Sequence, residues 1–136
     1  MYIIPELLLL LAALAAPVTY SATVLRVVDG DTVNVRIYIW FDQTIETSIR
    51  MRGVDTPELK GRCDTEKALA LKAKQFTESH LPPGMTITLA SVKPDKFGGR
   101  YDADVILWDG KRLADLLIAE GLARPYKGEK RLGWCP

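Results

Sequence analysis

The chain has 136 residues, 48% of them apolar and 26% charged, with 18 Lys and Arg against 17 Asp and Glu, a net charge of +1. These proportions exclude a disordered, collagen-like or disulfide-dense chain and leave room for one domain. Near neutrality excludes a globally basic coat for nucleic acid, so a nucleic-acid partner has to meet a local basic site.

Residues 7–16 form an unbroken apolar run ahead of Pro17, and the first basic residue is Arg26. With small or polar residues at 19–22, this fits a secretory signal peptide over residues 1–21, cut after Ser21 or Ala22, and export of a domain spanning 22–136 to the periplasm or the medium. The run carries Glu6 and no Lys or Arg on its N-terminal side, which leaves two rivals open: an uncleaved membrane anchor over residues 7–24, and a buried helix. Removing residues 1–21 takes away Glu6 alone among charged residues and moves the net charge from +1 to +2. Export also bears on the two cysteines. In an oxidising compartment Cys63 and Cys135 can pair; in a reducing one they stay thiols. With His80 distant from both, they lack zinc-ligand spacing.

From Ala22 the pattern changes to short alternating stretches, the period of strands. Ala22–Val28 is followed by the hairpin signal Asp29-Gly30 and by Thr32–Trp40, where Val33, Val35, Ile37 and Ile39 share one face. A third strand spans Ile45–Val54, with Ile49 and Met51 facing the core and Arg50 and Arg52 facing away. Asp64–His80 is helical, with Asp64 as candidate N-cap and Leu69, Ala73 and Phe76 on one stripe, and it ends at Pro82-Pro83-Gly84. Met85–Val92 and Tyr101–Trp108 are the fourth and fifth strands. A short helix over Leu113–Glu120 stops at Gly121 in the C′ position. The fold class is therefore α+β, mainly β: a five-stranded Greek-key barrel of the OB type, with one main helix between strands three and four and a short C-terminal helix. Trp40, Trp108 and Trp134 are expected at strand ends, closing the barrel, and His80 at a helix C-terminus is expected as a dipole-favoured cation.

Chemistry concentrates in three places. Val28-Asp29-Gly30-Asp31-Thr32 adds to a hairpin turn a second carboxylate, Asp31, where a strand disfavours it. Arg50-Met51-Arg52-Gly53-Val54-Asp55-Thr56-Pro57-Glu58 ends a strand in two carboxylates around Thr-Pro. Asp95-Lys96-Phe97-Gly98-Gly99-Arg100 is a charged loop. Singly, these read as a turn, an exposed turn and a solvated loop. Together they offer converging hard oxygens for a cation such as Ca²⁺ and two arginines whose paired donors match a phosphate.

These motifs, with Gly121-Leu122-Ala123-Arg124 after them, resemble the thermonuclease, or staphylococcal nuclease-like, family from Thr23 to Tyr126. The resemblance implies an OB barrel with packed helices and an endonuclease that cuts DNA and RNA to 3′-phosphate ends, preferring single-stranded or frayed substrate. It implies Ca²⁺ held by Asp31, Asp55 and the main-chain oxygen of Thr56, with Asp29 supporting the site from beside it. Glu58 takes the general-base position, Arg50 and Arg100 the phosphate, and Lys96, Phe97 and Tyr126 the substrate-binding positions. The resemblance is closest to small exported bacterial members that end near Trp-Cys, which is where Cys135 stands.

Three departures accompany it. The doubled glycine lengthens the step to Arg100 and is expected to loosen that loop; Phe97 keeps a stacking face without the hydroxyl of Tyr; and the chain stops soon after Tyr126, leaving out a third helix. The tail from Arg124 carries Lys127, Lys130 and Arg131 against Glu129, which reads either as a phosphate-tracking patch or as a solvated tail. The competing function class is a non-catalytic OB module that binds single-stranded nucleic acid without cutting it.

Overall fold

The computed structural model describes residues 17–136, so the apolar run at 7–16, on which the signal-peptide and anchor expectations rest, lies outside the described residues. In chain order the elements are β1 (Thr19–Asp29), β2 (Thr32–Trp40), β3 (Gln43–Met51), β4 (Val54–Asp55), α1 (Asp64–His80), β5 (Thr86–Pro94), β6 (Tyr101–Ile106), α2 (Leu113–Ala119) and β7 (Arg124–Pro125). Five of the strands close a barrel in the order β1-β2-β3-β6-β5, and β4 pairs with β7 in a separate two-stranded ladder. Barrel neighbours run antiparallel except β3 and β6, which are parallel with Ile49 opposite Tyr101. This is the expected mainly-β barrel of the OB type.

Alternation explains which side chains fill it. Val33, Val35 and Ile37 of β2, Ile49 and Met51 of β3, Leu89 of β5 and Val105 of β6 are buried on one side of their strands, and Leu113 and Leu117 of α2 join the same core. Each such side chain contributes roughly 1.5–3 kcal/mol on leaving water. The expected inward face of β2 stops short of Ile39, which is exposed with Trp40 and Phe41, because the β2–β3 hairpin shifts register at Tyr38 and runs on past the barrel wall. Trp40 stacks edge-on against Phe41 instead of closing the barrel, and Trp108 also faces solvent. Only Trp134 is half-buried among the three.

β1 begins at Thr19, three residues ahead of the expected strand, with Thr19 opposite Ala90, Tyr20 opposite Leu89 and Ser21 opposite Thr88. A cut after Ser21 would remove these three residues from the ladder. Among the described residues no helix is long and apolar enough to cross a membrane.

The turns near one end of the barrel decide where the chemistry sits. The β1–β2 turn is held on two sides: the Thr77 hydroxyl of α1 donates to the Gly30 carbonyl at 2.7 Å, and the Met51 amide of β3 donates to the Asp31 carbonyl at 2.8 Å. Gly30 is required there because a Cβ would stand 2.8 Å from the Ala73 Cβ of α1. β3 does not continue to Val54 as expected. It breaks at Gly53, whose φ of 76° lies in the left-handed region, and Val54–Asp55 pairs instead with Arg124–Pro125.

The N-cap of α1 is Cys63, not Asp64: its sulfur accepts the Glu66 amide at 3.4 Å. The buried stripe consists of Glu66, Ala70, Ala73 and Thr77, while the expected Leu69 and Phe76 flank it half-buried. Small residues on that stripe let α1 approach the Gly30 turn closely. His80 at the end of α1 stacks on Phe76 with ring centroids 4.4 Å apart, and its Nδ1 lies 2.9 Å from the Phe76 carbonyl.

Candidate active site

A cleft of about 380 Å³ opens beside the β1–β2 turn, and Asp29, Asp31, Arg50, Thr56, Glu58, Arg100 and Arg131 line it. Five separate stretches of chain meet there, the C-terminal tail bringing Arg131. Asp29 and Asp31 come from the β1–β2 turn, Arg50 from the end of β3, Thr56 and Glu58 from the segment after β4, and Arg100 from the β5–β6 loop. Asp55 lies beneath the cleft, only 3% exposed. Lys96, Phe97 and Tyr126 are outside the lining, and Phe97 points to solvent with the Lys96 ammonium over its ring at 5.1 Å.

The arginines are held from behind. Arg50 donates to the carbonyls of Met51 at 3.1 Å and Val54 at 3.2 Å, and approaches Asp31 Oδ2 at 3.5 Å. Its guanidinium is therefore spread along the chain that carries Asp55 and Glu58. Arg100 is paired through Nε with the buried Asp95 at 3.2 Å. The loop between them is tight, not loose: the Asp95 amide donates to the Arg100 carbonyl at 3.1 Å, the Phe97 amide donates to Asp95 Oδ1 at 2.9 Å, and Gly98 and Gly99 take the positive φ values that close the turn. Burial works against the charge on Asp95, but Asp102, the Phe97 amide and Arg100 outweigh it and hold its carboxyl below the ordinary value.

On the acidic side, Asp29 accepts the Asp31 amide at 3.1 Å. Burial, reinforced by the Asp31 carboxyl beside it, pushes Asp29 up to about 7. Two carboxyls crowded in this way are relieved by a cation. Asp55 Oδ1 is fully buried without a well-aligned hydrogen-bond donor, and its close neighbour is the Arg131 guanidinium, which reaches it as an ion pair. The set formed by Asp31, Asp55 and the Thr56 carbonyl is hard oxygen throughout, the chemistry of an Mg²⁺ or Ca²⁺ site completed by water. Among the described residues no three His, Cys, Asp or Glu side chains form a ready cage, so a cation here would depend on that carbonyl and on water.

Two residues of the site were not singled out from the sequence. Glu66, buried in the first turn of α1, accepts the amides of Glu58 and Arg62, each at 3.2 Å, and so fixes the segment that carries Glu58. Its signal was present as an acidic residue three positions after the cap, the spacing of a capping box. Arg131, expected only as one of the cations of the tail and not as a residue of this site, is the second. It pairs with Asp55 and with Glu58, and its Nη2 lies 3.5 Å from the Thr56 carbonyl. Burial alone would lower its pKa, but the two carboxylates raise it above the ordinary arginine value. A disulfide between Cys63 and Cys135, with Cα atoms 6.0 Å apart, fastens the tail next to the N-terminus of α1.

Compared with known proteins, residues 48–132 match the family described as staphylococcal nuclease homologue, well over half of the chain. The match takes in Arg50, Asp55, Thr56, Glu58, Arg100 and Arg131, and begins after Asp29 and Asp31. An uncharacterized protein of Methanocaldococcus jannaschii is 33% identical over 131 residues, covering 79% of this chain and 59% of that relative's length. With its barrel, its cleft and this match, the chain belongs to the staphylococcal nuclease homologue family.

Proposed function

We propose that this protein is an exported, calcium-dependent endonuclease that hydrolyses the phosphodiester bonds of DNA and RNA, single-stranded or frayed, to 3′-phosphate ends. The observation that carries the reading is the meeting of Glu58, Arg50 and Arg100 with the acidic group around one cleft. A bound Ca²⁺ would supply positive charge beside the scissile phosphate and order a water. Glu58, with 54% of its side chain exposed, is the carboxylate that takes the proton of such a water as it attacks phosphorus; the bond from phosphorus to the 5′-oxygen breaks, and the leaving oxygen takes a proton from solvent. Arg50 and Arg100 bind the phosphate and stabilise the charge that grows on its oxygens, and their rigid support means little reorganisation is needed as it grows. The Cys63–Cys135 bond supports export, because such bonds persist in oxidising compartments.

The test is a single incubation of the purified protein with single-stranded DNA and RNA, in Ca²⁺ and in a calcium chelator. Fragments bearing 3′-phosphates in Ca²⁺ alone are the expected result. Retention of the strands uncut under both conditions would instead identify a binding module.

A further inference from the structure

We propose that the C-terminal tail is a latch on this cleft: the Arg131 guanidinium and a divalent cation compete for Asp55 and the Thr56 carbonyl, so the tail sets the cation concentration at which the site opens. This rests on the reading of the acidic group as a calcium site.

A buried carboxylate without a counter-charge is costly, and Asp55 meets that cost with a guanidinium delivered from its own chain. The same guanidinium touches Glu58 and approaches the Thr56 carbonyl, so one side chain masks both the candidate base and two of the oxygens that would hold a cation. Arg131 differs from Arg50 in its support. Arg50 has 19% of its side chain exposed and is bonded to two backbone carbonyls, whereas Arg131 has 42% exposed and, among the described residues, its polar partners are these oxygens alone, which leaves it free to swing outward.

The tail around Arg131 is built to return it. Cys135 is bonded to Cys63 at the cap of α1. Arg124, whose backbone pairs with Asp55, stacks its guanidinium 3.7 Å over the Trp134 ring and donates to the Gly133 carbonyl at 2.9 Å. Residues on the C-terminal side of Arg131 are thus clamped to α1 and to β7, and its side chain is presented to the cleft at a high effective concentration. Displacement by a doubly charged ion frees Glu58 in the same event.

If the guanidinium occupies the oxygens about nine-tenths of the time, the apparent cation affinity falls by roughly tenfold. Calorimetric titration with Ca²⁺ alone tests this. Arg131→Gln is expected to bind Ca²⁺ roughly tenfold more tightly than the unaltered protein. Lys130→Gln makes the same change in net charge one residue away and is expected to leave the affinity as it was. The double variant Cys63→Ser, Cys135→Ser keeps a capping oxygen on α1 while cutting the tether, and is expected to tighten binding as well. Equal affinity in Arg131→Gln and the unaltered protein, or equal tightening in Lys130→Gln, overturns the latch while leaving the calcium reading intact. Absence of Ca²⁺ binding in both the unaltered protein and Arg131→Gln overturns the calcium reading and the latch together.

Discussion

Glu66 in the first turn of α1 accepts the backbone amide of Glu58, 3.2 Å away, although the two lie eight positions apart in the chain. Its other oxygen takes the Arg62 amide. One buried carboxylate therefore organises the loop that presents the candidate base. Glu66→Ala leaves two amides without their acceptor and is expected to cost about 1–3 kcal/mol. Urea unfolding of the two proteins measures this, and Glu66→Gln, which keeps one acceptor oxygen, should fall between them.

Glu58 itself carries little of the fold, being exposed and, among the described residues, bonded only to Arg131 through its side chain. Glu58→Gln is accordingly expected to lower kcat on single-stranded DNA by about 10²- to 10⁴-fold while the melting temperature stays within a few degrees. Steady-state kinetics alongside calorimetric melting separates the two effects, and an unaltered kcat would remove Glu58 from the chemistry.

Arg50→Lys keeps the charge but loses the fork that spans the Met51 and Val54 carbonyls. Its activity is expected to fall by about 10²-fold or more, close to that of Arg50→Ala, because a phosphate is matched by paired donors rather than by charge alone. Recovery of most of the activity with lysine would contradict this.

Gly30 and Ala73 touch across the turn and the helix, so their substitutions should couple. Gly30→Ala drives a Cβ to 2.8 Å from that of Ala73 and is expected to destabilise by about 1–3 kcal/mol. Adding Ala73→Gly should recover part of the loss even though glycine inside a helix is itself unfavourable by about 1 kcal/mol. A double-mutant cycle by chemical denaturation reads the coupling, and strictly additive effects would mean that the turn yields elsewhere.

Reducing the Cys63–Cys135 bond releases a crosslink between residues 72 apart. The chain-entropy account gives about 4 kcal/mol of lost stability. Urea denaturation with and without a dithiol reductant measures it. A loss well below 1 kcal/mol would show that the tail is held by its other contacts.

Much of this architecture is legible in the amino-acid sequence. The α1 boundaries follow from a run of helix formers stopped by Pro82-Pro83-Gly84, and β2 from its alternation, because local propensity and burial pattern agree there. Expectation failed where distant contacts decide. Gly53 ends β3 early because Arg124–Pro125 supplies a new partner for Val54–Asp55, and Cys63 displaces Asp64 as the cap because the chain enters α1 from the turn that Glu66 organises. Ile39 and Trp40 alternate correctly but lie past the barrel's edge, a matter of strand length against barrel circumference that period-two patterning does not contain.

For the site, the amino-acid sequence by itself determined the chemical inventory: Asp29, Asp31, Asp55, Glu58, Arg50 and Arg100, grouped in three short motifs and marked by residue types that turns and strands do not otherwise need. It determined the barrel as well, since hydrophobic period and turn chemistry are local properties. The tertiary structure alone decided that the tail returns to the cleft and that Arg131, 73 residues after Glu58, reaches both Glu58 and Asp55. Such a contact has no periodicity to announce it. It arises because a disulfide and a stacked Trp134 fix the path of a charged segment, and because a buried carboxylate draws in whichever cation that path brings near.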